Sequence, residues 1–342
     1  MIGSLSERLT PAPDLHYPGD HLGLVWRPLR ARDAGAIARL IRSCEKYDDA
    51  LSSTSERQIA DLLEYGANGQ IADVIVGLDS DDCIRSLAWV EVMQADSQVA
   101  RADVNAFIEP QWRGRGIGRA VLKWQEARAR QMIVDAYGPD ATIPVRLANL
   151  VDSHVNDRRR LYMAAGFSPH RTFQIMHRDF HGEEPAVSQP SGGYTVVPWI
   201  PELDNEIKSL HIRAFSDHWG TCADTVEWWN NARPHMQKRW SFVALSSTGQ
   251  VAGYILVCRL PARWIHTGVS EAYAELLGVD SGARGHGLAK ALITKAMNAA
   301  FHSRVERFGL DVDKDNPHGA QSFYQRLGFV SAGEQVFYAL DL

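Results

Sequence analysis

A short glycine-rich run occurs twice in the chain, Arg113-Gly-Arg-Gly-Ile-Gly118 and Arg284-Gly-His-Gly-Leu-Ala289. Each follows a β-like stretch, Val104-Asn-Ala-Phe-Ile-Glu-Pro110 or Ala274-Glu-Leu-Leu-Gly-Val-Asp280, and leads into an apolar helical pattern. The pattern predicts strand, glycine turn and helix start in both places. Such a turn presents backbone N–H groups at a helix N-terminus, where unpaired donors and the positive end of the macrodipole favour an anion such as a diphosphate. Glycine lets the ligand come close to the backbone. The spacing does not fit G-x-x-x-x-G-K-[ST], and no partner acid of a dinucleotide-binding βαβ unit is evident. The chemistry in view is recognition of some other phosphate-bearing ligand.

Each turn is followed by an aromatic-x-x-x-Gly-Phe box, Tyr162-Met-Ala-Ala-Gly-Phe167 and Tyr324-Gln-Arg-Leu-Gly-Phe329, the second inside Asp315-Asn-Pro-His-Gly-Ala-Gln-Ser-Phe-Tyr324. Both turns resemble motif A of the GNAT superfamily of N-acetyltransferases, [QR]-x-x-G-x-[GA]. Arg113, Gly116 and Gly118 fill it in the first copy, and Arg284, Gly287 and Ala289 in the second. The later segment is similar to the family's coenzyme A segment, Asn-x-x-Ala-x-x-x-Tyr. The layout from residue 24 to 342 resembles tandem GNAT proteins of the mycothiol synthase-like type, whose C-terminal domain is the working one. The resemblance implies an α/β fold class: two tandem GNAT folds, each a central twisted mixed sheet flanked by helices. It also implies acetyl-CoA as donor co-substrate. Its pyrophosphate would be held by Arg284, Gly285, His286, Gly287, Leu288 and Ala289, with Asn316 nearby, or by Arg113, Gly114, Arg115, Gly116, Ile117 and Gly118 in the first copy. The strand that offers a backbone N–H to the thioester carbonyl would be Leu277, Gly278 and Val279, or Ala106, Phe107 and Ile108.

The remaining roles follow from the same resemblance. Acyl transfer to an amine needs an amine without its proton and an acid for the leaving thiolate. Tyr324 occupies the general-acid position; the other reading is that it packs, with its hydroxyl on a backbone carbonyl. Many family members carry a strand glutamate where this chain has Tyr273. Glu271 and Glu275 flank that position and share its face, because strand side chains alternate with period two. Glu275 is the expected base, directly or through a water, with Glu271 and His218 as alternatives. The acceptor site would draw on Phe215, Asp217, His218 and Trp219, together with Tyr273: an aromatic wall, a carboxylate for a cationic acceptor and a histidine that titrates near neutrality. In the first half Ala102 and Val104 stand where Tyr273 and Glu275 stand in the second, and His154 replaces Asn316. That half is expected to fold but not to catalyse.

The elements that position these residues must be built twice, and 342 residues suit two domains of ordinary size. Residues 1–22, with Pro11, Pro13, Pro18 and Gly19, read as an irregular arm; 23–180 as the first domain; the polar, breaker-rich 181–193 as a linker; and 194–342 as the second domain. Net charge is −5 with acids and bases interspersed, which advertises no surface for nucleic acid. No apolar run approaches a membrane span and no signal-peptide pattern opens the chain, so a cytoplasmic protein without membrane partners is expected. Cys44, Cys83, Cys222 and Cys258 are scattered without metal-ligand spacing, so no metal is expected. The expected partner is a small-molecule amine. Other readings are a transferase acting on a protein N-terminus or lysine, and a non-catalytic acyl-CoA sensor.

Overall fold

The computed structural model describes residues 3–68, 72–93, 98–215, 222–316 and 319–342. They form two compact units, Met1–Phe173 with Glu334–Leu342, and Gln174–Gly333. In chain order the elements are α1 (Leu5–Leu9), β1 (Val25–Pro28), α2 (Ala34–Tyr47), α3 (Glu56–Asn68), β2 (Ala72–Leu78), β3 (Ile84–Val92), β4 (Ala100–Ile108), α4 (Ile117–Tyr137), β5 (Val145–Asp152), α5 (Asn156–Ala164) and β6 (Ser168–Asp179). They continue as β7 (Thr195–Pro198), α6 (Asp204–Ala214), α7 (Cys222–Ala232), β8 (Phe242–Leu245), β9 (Val251–Arg259), α8 (Pro261–Thr267), β10 (Glu271–Val279), α9 (Leu288–His302), β11 (Arg307–Asp313), α10 (Ala320–Arg326) and β12 (Val330–Asp341).

In the first unit the sheet runs β1-β2-β3-β4-β5 and closes with the C-terminal strand β12. β4 and β5 are parallel; the other pairs are antiparallel. In α2 the buried residues Ile37, Leu40, Ile41 and Cys44 recur at the spacing of one helical face, which seats the helix on the sheet. α4 covers the opposite face with Ile117, Val121, Leu122 and Trp124. In the second unit the order is β7-β8-β9-β10-β11, followed by the latter part of β6, and β10 and β11 are parallel. α9 packs on one face through Leu288, Leu292 and Met297, while Ile207 and Leu210 of α6 and Trp229 of α7 pack on the other.

The compact units do not divide the chain at residues 181–193. β12 pairs with β5 from Gln335 to Asp341 and buries Val336 and Tyr338 in the first unit's core, whereas Met176 and Phe180 belong to the core of the second. The stretch 181–193 is irregular but pinned along α9: Ser188 N–H donates to Thr294 Oγ1 at 3.0 Å and Ser191 N–H to the His286 carbonyl at 2.9 Å.

The N-terminal arm departs from expectation in one respect. Leu5–Leu9 is a helix, not irregular chain, and Leu5 and Leu9 are fully buried in the first unit's core. Ser4 and Glu7 form a capping box there, and Leu5 N–H donates to the Ala141 carbonyl at 2.8 Å. Burying two leucines contributes about 1.5–3 kcal/mol each, which outweighs the breaker-rich composition around them.

Candidate active site

The second unit's site begins where two parallel strands part. β10 pairs with β11 only from Glu271 to Ala274, opposite Arg307–Leu310. A bulge between Ala274 and Leu276 then turns β10, and Leu277, Gly278 and Val279 remain bonded to β9. From Glu275 onward the β11-facing edge of β10 has no strand partner among the described residues. Beyond the strand lies the glycine turn. Gly285 and Gly287 hold φ of 85° and 76°, and a Cβ at either would meet no atom within 4 Å. Glycine is required there for backbone conformation and not for packing. Gly287 is the N-cap of α9 and supplies no side-chain cap to the first N–H groups of the helix.

On the α6/α7 face of the opening lies a group of charged side chains. Arg263 of α8 binds Glu271 at 2.7 Å, both largely buried, and its guanidinium lies 4.4 Å from the centre of the Tyr273 ring. The Tyr273 hydroxyl donates to Asp311 Oδ1 on β11. Gly309 makes this possible, since a Cβ there would come within 2.5 Å of Glu271 Oε1 and 2.9 Å of Tyr273 Cδ2. Glu275 is accessible from the opening yet crowded by protein; the loss of water, with the nearby Asp311 carboxyl, pushes it up to about 7, and Arg263 opposes this. Burial raises Asp311 as well, against the Tyr273 hydrogen bond and Arg263.

Tyr324 packs on the α9 face against Phe323 and Phe329, with ring centres 5.1 and 5.7 Å away. Its hydroxyl makes no hydrogen bond among the described residues, and burial pushes it up to about 12, so the proton stays on at neutral pH. Glu275 and Tyr324 therefore stand on opposite faces of the sheet. Behind the bulge, the Tyr254 ring fills the space beside Gly278, where a Cβ would lie 2.5 Å from Tyr254 Cε1. Its hydroxyl meets buried His211 Nδ1 at 2.5 Å, and His211 Nε2 meets the Thr225 carbonyl at 2.8 Å. Nε2 must donate to that carbonyl, so neutral His211 accepts from Tyr254; burial lowers its pKa and favours this state. The network ties α6 and α7 to β9, whose Tyr254 ring lies against Gly278 of β10.

The first unit repeats the geometry and closes it. β4 and β5 also pair over only four positions, Ala100–Asp103 opposite Val145–Ala148, which places Ala102 at the Tyr273 position, Val104 at Glu275 and Asn149 at Asp311. Asn149 Nδ2 donates to the Val104 carbonyl at 2.6 Å, and the Tyr162 hydroxyl donates to the same oxygen at 3.1 Å. Tyr162 is thus a packing residue whose proton is spent on the backbone. The turn itself persists, with Gly114 and Gly116 at φ of 76° and 90° ahead of Ile117. Arg113 is held by both oxygens of Asp48 and donates to the Ile108 carbonyl at 3.0 Å. Ala106, Phe107 and Ile108 are bonded to β3, and Phe107 stacks on Trp89. His154 Nε2 lies 2.7 Å from the Asp48 carbonyl.

Of the acceptor-side residues, Phe215 ends α6 with its ring 4.8 Å from His211, and Tyr273 belongs to the charged group. Asp217, His218 and Trp219 lie outside the described residues. Asn316 follows β11, its N–H on the Asp313 carbonyl at 3.1 Å. Asp311 and Arg263 were missed by sequence reasoning. Asp311 had a signal, since in Gly309-Leu-Asp-Val it shares a face with Gly309; Arg263 had none.

A model of the family described as "Acetyltransferase (GNAT) family" matches residues 205–329. The chain is 26% identical over 323 residues to a mycothiol acetyltransferase of Acidothermus cellulolyticus, covering 89% of this chain and 91% of that protein. Two solved structures share the fold. One is a GCN5-related N-acetyltransferase from Sphaerobacter thermophilus, with TM-score 0.69 and 20% identity, covering 93% of this chain and 95% of that one. The other is a tandem GNAT protein from the clavulanic acid biosynthesis pathway, with TM-score 0.66 and 17% identity, covering 93% and 98%. A family match over residues 205–329, which carry the open strand pair, similarity to mycothiol acetyltransferases along nearly the whole chain and a shared tandem fold lead to one conclusion: the chain is an acyltransferase whose second unit is similar to the GNAT acetyltransferase family.

Proposed function

We propose that the second unit transfers an acetyl group from acetyl-CoA to the primary amine of a small molecule by direct attack in a ternary complex. The observation that carries this reading is the contrast between the two strand openings. In the second unit no described side chain bridges the gap and Glu275 and Asp311 stand beside it, whereas in the first Asn149 and Tyr162 occupy it. The donor fits the second unit: Gly285 and Gly287 leave open space at an uncapped helix N-terminus, and β10 has an unpaired edge between that seat and the acids. When bound, the donor supplies the activated acetyl group.

The chain's own residues would do the rest. The turn from Arg284 to Ala289 seats the pyrophosphate, and a β10 backbone N–H between Leu277 and Val279 polarises the thioester carbonyl. Glu275 takes the proton of the incoming ammonium, and Tyr324 gives its proton to the departing thiolate. The first unit, without acids at 102 and 104, supports the fold. Reliance on acetyl-CoA and a small acceptor points to the cytoplasm. No helix among the described residues is long and apolar enough to cross a membrane. The small-molecule acceptor takes support from the mycothiol acetyltransferase similarity. The test is thiol release from acetyl-CoA across small primary amines, with the product mass confirming N-acetylation. Release that occurs only with peptides, or never depends on an amine, would sink the reading.

A further inference from the structure

Among the described residues, the acids at the opening outnumber the bases. Arg263 pairs with Glu271 at 2.7 Å, lies over the Tyr273 ring and also acts on Glu275 and Asp311, so one cation is set against three acids. Glu275 and Asp311 have no cation of their own among the described residues and follow directly on the last paired positions of the two strands, Ala274 and Leu310. Asp311 is held by the Tyr273 hydroxyl, a neutral donor that fixes the direction of the carboxylate without cancelling its charge. Tyr273 can reach across β11 only because residue 309 is glycine, so the pair is built into the strands. The site is located independently by the parting of β10 from β11 and by the glycine turn beyond it.

A monoamine satisfies only one of these acids. Its ammonium pairs with Glu275, and once Glu275 has taken the proton both are neutral. Asp311, exposed beside the parted strands, is then covered by the acceptor with no ammonium set against it, an arrangement that costs free energy. A neutral group placed there leaves the charge uncompensated, and an acidic group is repelled.

We infer that Asp311 is a specificity-determining residue and that the acceptor is a small di- or polyamine, whose second ammonium rests on Asp311 while the first loses its proton to Glu275. This rests on the amine-acetyltransferase reading above. The test uses the full chain, acetyl-CoA and three primary amines with the same four-carbon spacer: putrescine, butylamine and γ-aminobutyrate. Putrescine should be acetylated with kcat/KM roughly tenfold or more above butylamine, mainly through KM, and γ-aminobutyrate should be poorest. Asp311→Asn keeps an oxygen to accept from Tyr273 and removes the charge, so it should bring the putrescine-to-butylamine ratio close to one. Asp311→Glu should recover part of it, and added salt should raise the KM for putrescine more than for butylamine. Equal kcat/KM for putrescine and butylamine in the wild-type protein, or a preference for γ-aminobutyrate, overturns the inference while amine acetylation stands. If acetyl-CoA binds but no amine in the series is acetylated, the amine-acetyltransferase reading fails and the inference with it.

Discussion

At the scale of single residues, the two tyrosine boxes show how one motif can serve two ends. Tyr162 spends its proton on the Val104 carbonyl, whereas the Tyr324 hydroxyl has no partner among the described residues. Tyr324→Phe keeps the ring and removes the donor, so steady-state assays should show kcat reduced by about 10²–10⁴ with little change in acetyl-CoA affinity. An unchanged kcat would return Tyr324 to packing. Glu275 works as a base only when deprotonated. With its pKa pushed up to about 7, kcat/KM should climb with unit slope below that pH and level off above it. Tyr324, near 12, stays protonated across that range and adds no alkaline limb at moderate pH. Glu275→Gln should remove the acidic limb together with most of the rate; a surviving limb would assign it to another group. The motif spacing singled out Tyr324 as a candidate, and strand alternation around Tyr273 singled out Glu275. The fate of each hydroxyl was not readable, because it depends on a carbonyl supplied by a strand distant in the chain.

At the scale of elements, the site depends on strands that part after four paired positions, and glycines set what can cross the gap. Gly309→Ala would drive a methyl group into Glu271 and Tyr273. We expect a loss of about 1–3 kcal/mol in denaturant unfolding, and a larger loss of acetylation because Tyr273 can no longer hold Asp311. Normal stability and turnover would show that the crossing of Tyr273 over β11 is not needed. The period-two pattern predicted one face for Glu271, Tyr273 and Glu275, and the bulge between Ala274 and Leu276 falls at Glu275. The pattern could not reveal Asp311 beside them, because the register of β10 against β11 is a long-range property. α1 is a converse case. Its Ser4-x-x-Glu7 capping box was present in the sequence, but prolines and glycine nearby masked a helix that burial of Leu5 and Leu9 stabilises.

At the scale of the molecule, the repeat was legible because both glycine turns and both tyrosine boxes occur in order. The exchange of strands was not, since pattern alone does not say which sheet a C-terminal strand joins. β12 supplies Val336 and Tyr338 to the first unit, and Arg159 Nε donates to the Tyr338 hydroxyl at 3.1 Å. Deleting residues 334–342 should therefore destabilise the first unit by several kcal/mol, at about 1.5–3 kcal/mol per large apolar side chain, and split or lower the thermal transition. A melting curve like that of the intact chain would contradict this. The central claim is the division of labour between one open and one closed strand pair. It is tested most directly by acetyl-CoA-dependent amine turnover in Gly287→Glu and Gly116→Glu measured side by side. Both glycines have positive φ and room for a side chain, so the backbone strain is matched and the difference is which anion seat receives a carboxylate. Gly287→Glu should abolish turnover while Gly116→Glu, folded, stays within a few-fold of wild type. Loss of turnover in folded Gly116→Glu, or normal turnover in folded Gly287→Glu, would contradict the account.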